Sequence, residues 1–193
     1  MPELSNLLRT LGATNLSKRE RSALDYYGTD PKAVEALLRR EDFAPRVWEP
    51  ASGHGNITRA LRAAGHEVVS TDIVDYGFQD SVLDFLKDGE PFDGDIVTNP
   101  PYSLAEPFMR KALDLVGDGR KVAMFLRLQI LEGKSRYENV YRSDPPKAVY
   151  VFPRRVSCSP TDDFTERSAV AYCWVVWVKG RRLEPVVRWI DSL

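Results

Sequence analysis

Cysteine and histidine are scarce: the 193 residues include two of each. Cys158 and Cys173 form no Cys-x-x-Cys pair, and His54 and His66 lie far from any Cys/Asp cluster. This excludes a disulfide framework and predicts a metal-free chain with reduced thiols, as in a cytoplasmic protein. No apolar run approaches membrane-spanning length and no secretory leader is visible, so no membrane partner is expected. Charge of either sign in excess is also lacking. Lys and Arg number 27 against 28 Asp and Glu, a net of −1. That excludes a surface that is basic throughout. Repeats and low-complexity segments are absent. What remains is an ordinary globular composition, 43% hydrophobic, of a length that suits one α/β domain and a monomer.

Strand-like apolar runs fall at residues 46–50, 67–73, 94–99, 121–128, 147–153 and 169–179, with a short one near 80–83. Helical patterns fall at 56–64, about 106–116 and about 135–142. A further helix opens with Asp30 as N-cap and Pro31 at its first position, and buries Val34 and Leu37/Leu38. Residues 1–24 predict a helical arm, with Leu4, Leu7, Leu8 and Leu11 at near-helical spacing. Alternation of strand and helix implies a parallel sheet covered on both faces. The last two strands are joined by residues 154–168 without a helical pattern, so the final strand runs antiparallel. Its sequence, Ala169 to Val178, is apolar on both faces, as a central buried strand requires.

The densest chemistry is Asn99-Pro100-Pro101-Tyr102, directly after the run Asp95-Ile96-Val97-Thr98. Two prolines stiffen the backbone and remove two donors. Asn99 adds a side-chain carbonyl acceptor and Tyr102 a flat aromatic face. Acceptors beside an aromatic platform suit the grip of a planar, amino-bearing group, and so point to methyl transfer onto nitrogen. Asn99 and the Pro100 carbonyl would take the two amino hydrogens, with Tyr102 stacked on the ring.

A second constellation lies upstream, in Arg46-Val47-Trp48-Glu49-Pro50-Ala51-Ser52-Gly53-His54-Gly55-Asn56-Ile57. It reads as strand, glycine turn and helix start. Gly53 and Gly55 permit positive φ and close ligand approach. Asn56 is expected to cap the helix, with Ile57, Leu61 and Ala64 on one face and Gly65 past its end. There is no third glycine at dinucleotide spacing and no Lys-Ser/Thr of a P-loop, which disfavours a diphosphate. Glu49 at the strand tip favours a cationic group, as in S-adenosylmethionine (AdoMet). The next strand ends in Asp72-Ile73, where an acid receives ribose hydroxyls in nucleotide-binding α/β folds. Asp84 is placed to accept from the cofactor's adenine amino group, with Phe85 on the ring. Equally, the pair reads as a turn acid beside a core aromatic. His54 is expected to line the pocket as a loop residue.

The segment Glu49–Gly55 resembles the first motif of amino-group DNA methyltransferases, and Asn99–Tyr102 resembles their catalytic motif. The segment from Asp25 to Pro31 is similar to the one that folds over the methionine end of AdoMet in that family. The resemblance spans about residues 25–128 and is closest to small phage-type adenine-N6 methyltransferases. It implies a Rossmann-like class I AdoMet-dependent methyltransferase sheet of seven strands over 25–193. It implies AdoMet as cofactor, held by Tyr27, Thr29, Glu49, Ala51, Gly53, Gly55, Asn56, Asp72, Ile73, Asp84, Phe85 and Asn99. Asn99, Pro100, Pro101 and Tyr102 are the implied catalytic residues and DNA the implied partner. RNA adenine and protein glutamine enzymes share the tetrapeptide, and a catalytically silent AdoMet-binding protein is a further alternative.

Residues 72–95 carry eight acids and one Lys, whereas 120–160 carry nine Lys/Arg and three acids. The acidic stretch falls on the cofactor side and the basic one after the catalytic motif. Only 91 residues follow Tyr102, and the sheet takes most of them, so a large recognition domain is not expected. The segment 131–146, with Lys134, Arg136, Tyr137, Tyr141 and Arg142, and the loop 154–167, with Arg154, Arg155, Cys158 and Phe164, interleave basic and aromatic residues. That pattern suits phosphate contact and base stacking, and Lys134, Arg136, Arg154 and Arg155 are the substrate candidates beside Tyr102.

Overall fold

Residues 26–165 and 168–191 are described in this computed structural model. The arm expected over 1–24, together with Asp25 and Arg167, lies outside the described residues. The described chain forms β1 (Gly28–Thr29), α1 (Pro31–Leu38), β2 (Arg46–Glu49), α2 (Asn56–Ala63), β3 (Glu67–Asp72), β4 (Ser81–Val82) and α3 (Phe85–Asp88). There follow β5 (Asp95–Thr98), a 3-10 turn (Tyr102–Leu104), α4 (Ala105–Leu115) and β6 (Lys121–Arg127). A 3-10 turn (Leu128–Leu131), α5 (Lys134–Arg136) and a π turn (Tyr137–Tyr141) lead to β7 (Ala148–Val151), β8 (Cys158–Ser159), β9 (Tyr172–Val178) and β10 (Val186–Trp189).

The main sheet has the order β10-β7-β9-β6-β5-β2-β3-β4. All neighbours are parallel except β9, which runs antiparallel to both β6 and β7. This is the expected seven-stranded arrangement, extended by β10. All four β10 residues are exposed. An exposed edge strand bears no apolar alternation toward a core, so the sequence did not announce it.

β9 explains the layering. Tyr172, Trp174 and Val176 enter the core shared with α1 and α2, while Cys173, Val175 and Trp177 enter the core shared with α4. The period-two alternation of a strand thus serves two apolar faces at once. Both indole N–H groups find carbonyls: Trp174 Nε1 donates to Ala33 at 2.9 Å and Trp177 Nε1 to Asp144 at 3.0 Å. Asp30 caps α1 through Lys32 N at 3.0 Å, with Pro31 following, as expected. Below the sheet's amino-terminal edge, buried Glu41 accepts from Lys121 Nζ and Lys147 Nζ at 2.8 Å and from Tyr150 OH at 2.6 Å. This clamp ties α1 to β6 and β7, away from the carboxyl tips.

Two local expectations are corrected. Asn56 does not cap α2: Gly55 occupies the cap at φ 80°, and Asn56 is the first helical residue. Ala64 is exposed, because α2 ends at Ala63 and the chain turns through Gly65 at φ 93°.

Candidate active site

In a parallel sheet the ligand crevice lies beyond the carboxyl tips of the strands. Here the tips of β2, β3 and β5 deliver Glu49, Asp72 and Asn99 to one cavity of about 270 Å³. Ile57, Leu83, Phe85, Leu86 and Phe108 give it apolar walls. Among the described residues its ionisable lining is acidic, Glu49, Asp72 and Asp84, without Lys, Arg or His. A wall charged in one sense selects the opposite charge in its ligand.

Burial sets the state of these acids. Glu49 is fully buried, and desolvation pushes its carboxyl up to about 8 although the Thr58 hydroxyl donates to it. Burial likewise raises the Asp72 carboxyl, against hydrogen bonds from backbone N–H groups. Gly53 N donates to one Asp72 oxygen at 2.9 Å and Val74 N to the other at 3.0 Å. Asp72 therefore shapes the glycine turn as well as facing the cavity. Asp84 caps α3, accepting from Leu86 N at 3.1 Å, and it lines the cavity with Phe85. Phe85 packs on Trp48 and Phe108. The pair is thus a turn acid beside a core aromatic, and both residues also line the cavity.

Tyr27, Thr29, Ala51, Asn56 and Ile73 also lie on the cavity wall. Gly53 and Gly55 do not. Their backbones at φ 50° and 80° lie under aromatic rings: a Cβ on Gly53 would meet Tyr26 at 2.1 Å, and one on Gly55 would meet Phe78 at 1.9 Å. The glycines make room for these rings. His54 is exposed and off the cavity wall, contrary to expectation, with Nδ1 2.6 Å from Asp162 Oδ2. Asp162, at φ 58°, also accepts from Tyr26 OH at 2.7 Å and Asn56 Nδ2 at 2.5 Å. The β7–β9 loop is thereby latched to the glycine turn.

Of the tetrapeptide, Asn99 and Pro101 line the cavity, whereas Pro100 and Tyr102 do not. The Asn99 amide is locked by donation from Nδ2 to the Tyr27 carbonyl at 2.7 Å and to Thr29 Oγ1 at 3.0 Å. Its Oδ1 is buried and has no partner among the described residues. Buried acceptors are usually paired, so this oxygen calls for a donor. Tyr102 packs between Tyr27 and Tyr172, with ring centroids 6.1 and 5.8 Å away. Its OH lies 3.2 Å from Cys158 Sγ, and the Arg127 guanidinium sits 4.5 Å above its ring. Desolvation holds the Tyr102 phenol neutral, with its pKa raised well above 10.

The pairing of β1 with β8, Gly28 opposite Ser159 and Thr29 opposite Cys158, was not foreseen. It brings the basic-aromatic loop to the Asn99–Tyr102 tetrapeptide and makes Cys158 a neighbour of Asn99 and Tyr102. Burial pushes the Cys158 thiol up. Two-residue strands leave no periodic signal to read. Among the substrate candidates, Arg154 and Arg155 are exposed, with no ion pair among the described residues. Lys134 is exposed and 3.9 Å from Glu138. Arg136 is spent on its own loop, donating to the carbonyls of Ile130 and Glu132. Among the described residues there is no cluster that fits a metal ion and no helix long and apolar enough to cross a membrane.

No family model matches the chain, and no curated protein matches it. Solved structures do. A predicted O-methyltransferase from Agrobacterium tumefaciens aligns with TM-score 0.59 and 15% identity over 85% of this chain and 86% of that one. A Listeria monocytogenes protein assigned to the class I S-adenosylmethionine-dependent methyltransferases aligns at 0.56 and 11%, over 83% and 62%. A modification subunit assigned to a type I restriction enzyme of Vibrio vulnificus aligns at 0.59 and 11%, over 86% and 46%. The chain has the Rossmann-like methyltransferase fold. It spans under half of the restriction-enzyme subunit, and identities this low speak for the fold alone.

Proposed function

We propose that this chain is an AdoMet-dependent N-methyltransferase that acts on the amino group of adenine, with DNA as the acceptor. The observation that carries the reading is Asn99 Oδ1: a buried acceptor without a partner, on an amide locked by two donations, at the wall of an acid-lined cavity.

The cavity fits AdoMet. Three acidic side chains and, among the described residues, no basic one suit a ligand bearing a sulfonium and an ammonium, and they oppose a phosphate-bearing one. Asp72 takes the ribose hydroxyls and Glu49 faces the positive end. Asp84 and Phe85 hold the adenine, and Tyr27 and Thr29 close over the methionine portion. When bound, AdoMet supplies an electrophilic methyl group.

The chain's own residues prepare the acceptor nitrogen. Its lone pair is delocalised into the purine ring. Asn99 Oδ1 accepts one amino hydrogen and the Pro100 carbonyl the other. Two acceptors on one side favour a pyramidal nitrogen with its lone pair turned toward the cavity, and these dipoles are in place beforehand. The amino proton becomes acidic once the nitrogen is substituted, so no strong base is needed. Tyr102 carries the ring, a stack worth about 1–3 kcal/mol. In duplex DNA the adenine must be flipped out. The form of the Glu49–Gly55 segment favours this acceptor over RNA and protein glutamine.

Asn99→Ala tests the reading. It should lower turnover by about 10²–10³-fold, while AdoMet affinity changes little, because the lost acceptor serves the substrate nitrogen. Near-wild-type turnover in this variant would refute the role.

A further inference from the structure

Arg127 closes β6 and pairs in register with Tyr172 of β9. Its guanidinium lies 4.5 Å above the Tyr102 ring. Its Nε is buried and has no hydrogen-bond partner among the described residues. No carboxylate forms an ion pair with it among those residues. A cation over an aromatic face gains from the ring quadrupole but leaves the N–H unsatisfied. A buried unsatisfied donor is costly to keep, more so on a charged group. Arg136 differs, because its donors are spent on neighbouring carbonyls. Arg154 and Arg155 differ too, because their exposed donors meet water.

Two separate facts therefore need one explanation. A charged donor lacks an acceptor, and a planar cation covers the ring on which the target base is meant to stack. We propose that Arg127 is a substrate ligand: it takes a phosphate oxygen beside the target nucleotide, and in doing so leaves the Tyr102 face to the base. The inference rests on the nucleic-acid reading above. The guanidinium is a planar fork that matches a phosphate in two parallel hydrogen bonds. It is also flat, like a base, so in the free protein it fills the same slot on the ring. Arg127 thus occupies the stacking site until a nucleotide brings both a phosphate for the fork and a ring for the tyrosine. A free base or a neutral side-chain amide brings only one of these, and the charged group would remain in the slot. The device favours a nucleotide acceptor over a protein one.

The test compares the wild type with Arg127→Met, which keeps the unbranched stem and removes the charge and all donors. Each is assayed on one adenine-containing oligonucleotide and on the same oligonucleotide with a neutral methylphosphonate at the linkages flanking the adenine. AdoMet affinity by calorimetry reports on the fold and should be equal in both proteins. For the wild type, the methylphosphonate should raise KM about 10–100-fold, the range of one or two charge-assisted hydrogen bonds. Arg127→Met should show a rise of that size on the natural linkage and little more on the modified one, since the two changes remove the same contact. Arg127→Lys, which keeps charge without the fork, should fall between. Equal methylphosphonate penalties in the wild type and Arg127→Met would overturn the inference while leaving the acceptor reading intact. A wild type that methylates no oligonucleotide would overturn the acceptor reading itself, and Arg127's role with it.

Discussion

Glu49→Gln isolates the electrostatics of the cavity. The carboxyl is fully buried, and its pKa is raised from 4.5 to about 8 by desolvation. An acid with a raised folded pKa stabilises the folded state below its unfolded pKa, and that contribution is lost as pH rises toward the folded value. The ligand-free protein should therefore lose stability between pH 4.5 and about 8. Each pKa unit corresponds to about 1.4 kcal/mol, and roughly two and a half units separate the unfolded value from pH 7, so the loss there is about 3 kcal/mol. Glutamine keeps the shape and the acceptor for Thr58 but does not titrate. About 0.6 of those units is already lost at pH 5, so relative to the wild type the variant should gain about 2.5 kcal/mol between pH 5 and pH 7, roughly 5–10 °C in Tm for a chain of this size. It should also bind AdoMet more weakly, because the positive end loses its counter-charge. Wild-type binding near pH 7 should release a proton as Glu49 ionises. Thermal unfolding at both pH values and calorimetry in two buffers of different ionisation enthalpy measure these effects. A variant whose stability follows the wild type at both pH values would refute the burial argument, and unchanged AdoMet affinity would refute the assignment to the cation.

Neutralising Arg154 and Arg155 together should weaken DNA binding on all sequences alike and lower the salt slope by about one unit per lost phosphate contact, with AdoMet affinity unchanged; binding titrations across salt concentration check this. At the other end of the sheet, burial opposes the Glu41 charge, but hydrogen bonds from Lys121, Lys147 and Tyr150 outweigh it and its pKa is lowered. Its contribution is present above the unfolded pKa and fades as pH falls through the folded one. Glu41→Gln should cost about 1–3 kcal/mol near neutral pH and less in acid, as denaturant unfolding at the two pH values will show.

The sheet was legible where burial imposed a pattern. β2, β3, β5, β6, β7 and β9 are apolar runs because the core demands it, and β9's two-sided apolarity revealed its central place. The cavity residues were legible for a related reason, since Glu49, Asp72 and Asn99 each end such a run. Features set by contact between distant loops were not. Nothing local in Gly28–Thr29 or Cys158–Ser159 records that these segments pair, and so Cys158 and Asp162 were missed as neighbours of the site. Arg127 was counted only among basic residues, because its isolation from carboxylates is a three-dimensional fact. The glycine turn was found, but its glycines serve the rings of Tyr26 and Phe78 above all. Tyr102 was read as an open platform, yet its ring is covered by Arg127.

The central claim is methyl transfer from AdoMet to the adenine amino group of DNA. Its most direct test is incubation of the protein with methyl-labelled AdoMet and, in parallel, duplex DNA, single-stranded DNA, RNA and a protein extract. The products are then digested and the methylated species identified by mass spectrometry. The account predicts N6-methyladenine in DNA, lost in Asn99→Ala. Label in protein glutamine alone, in RNA alone, or on an oxygen or carbon atom would contradict it.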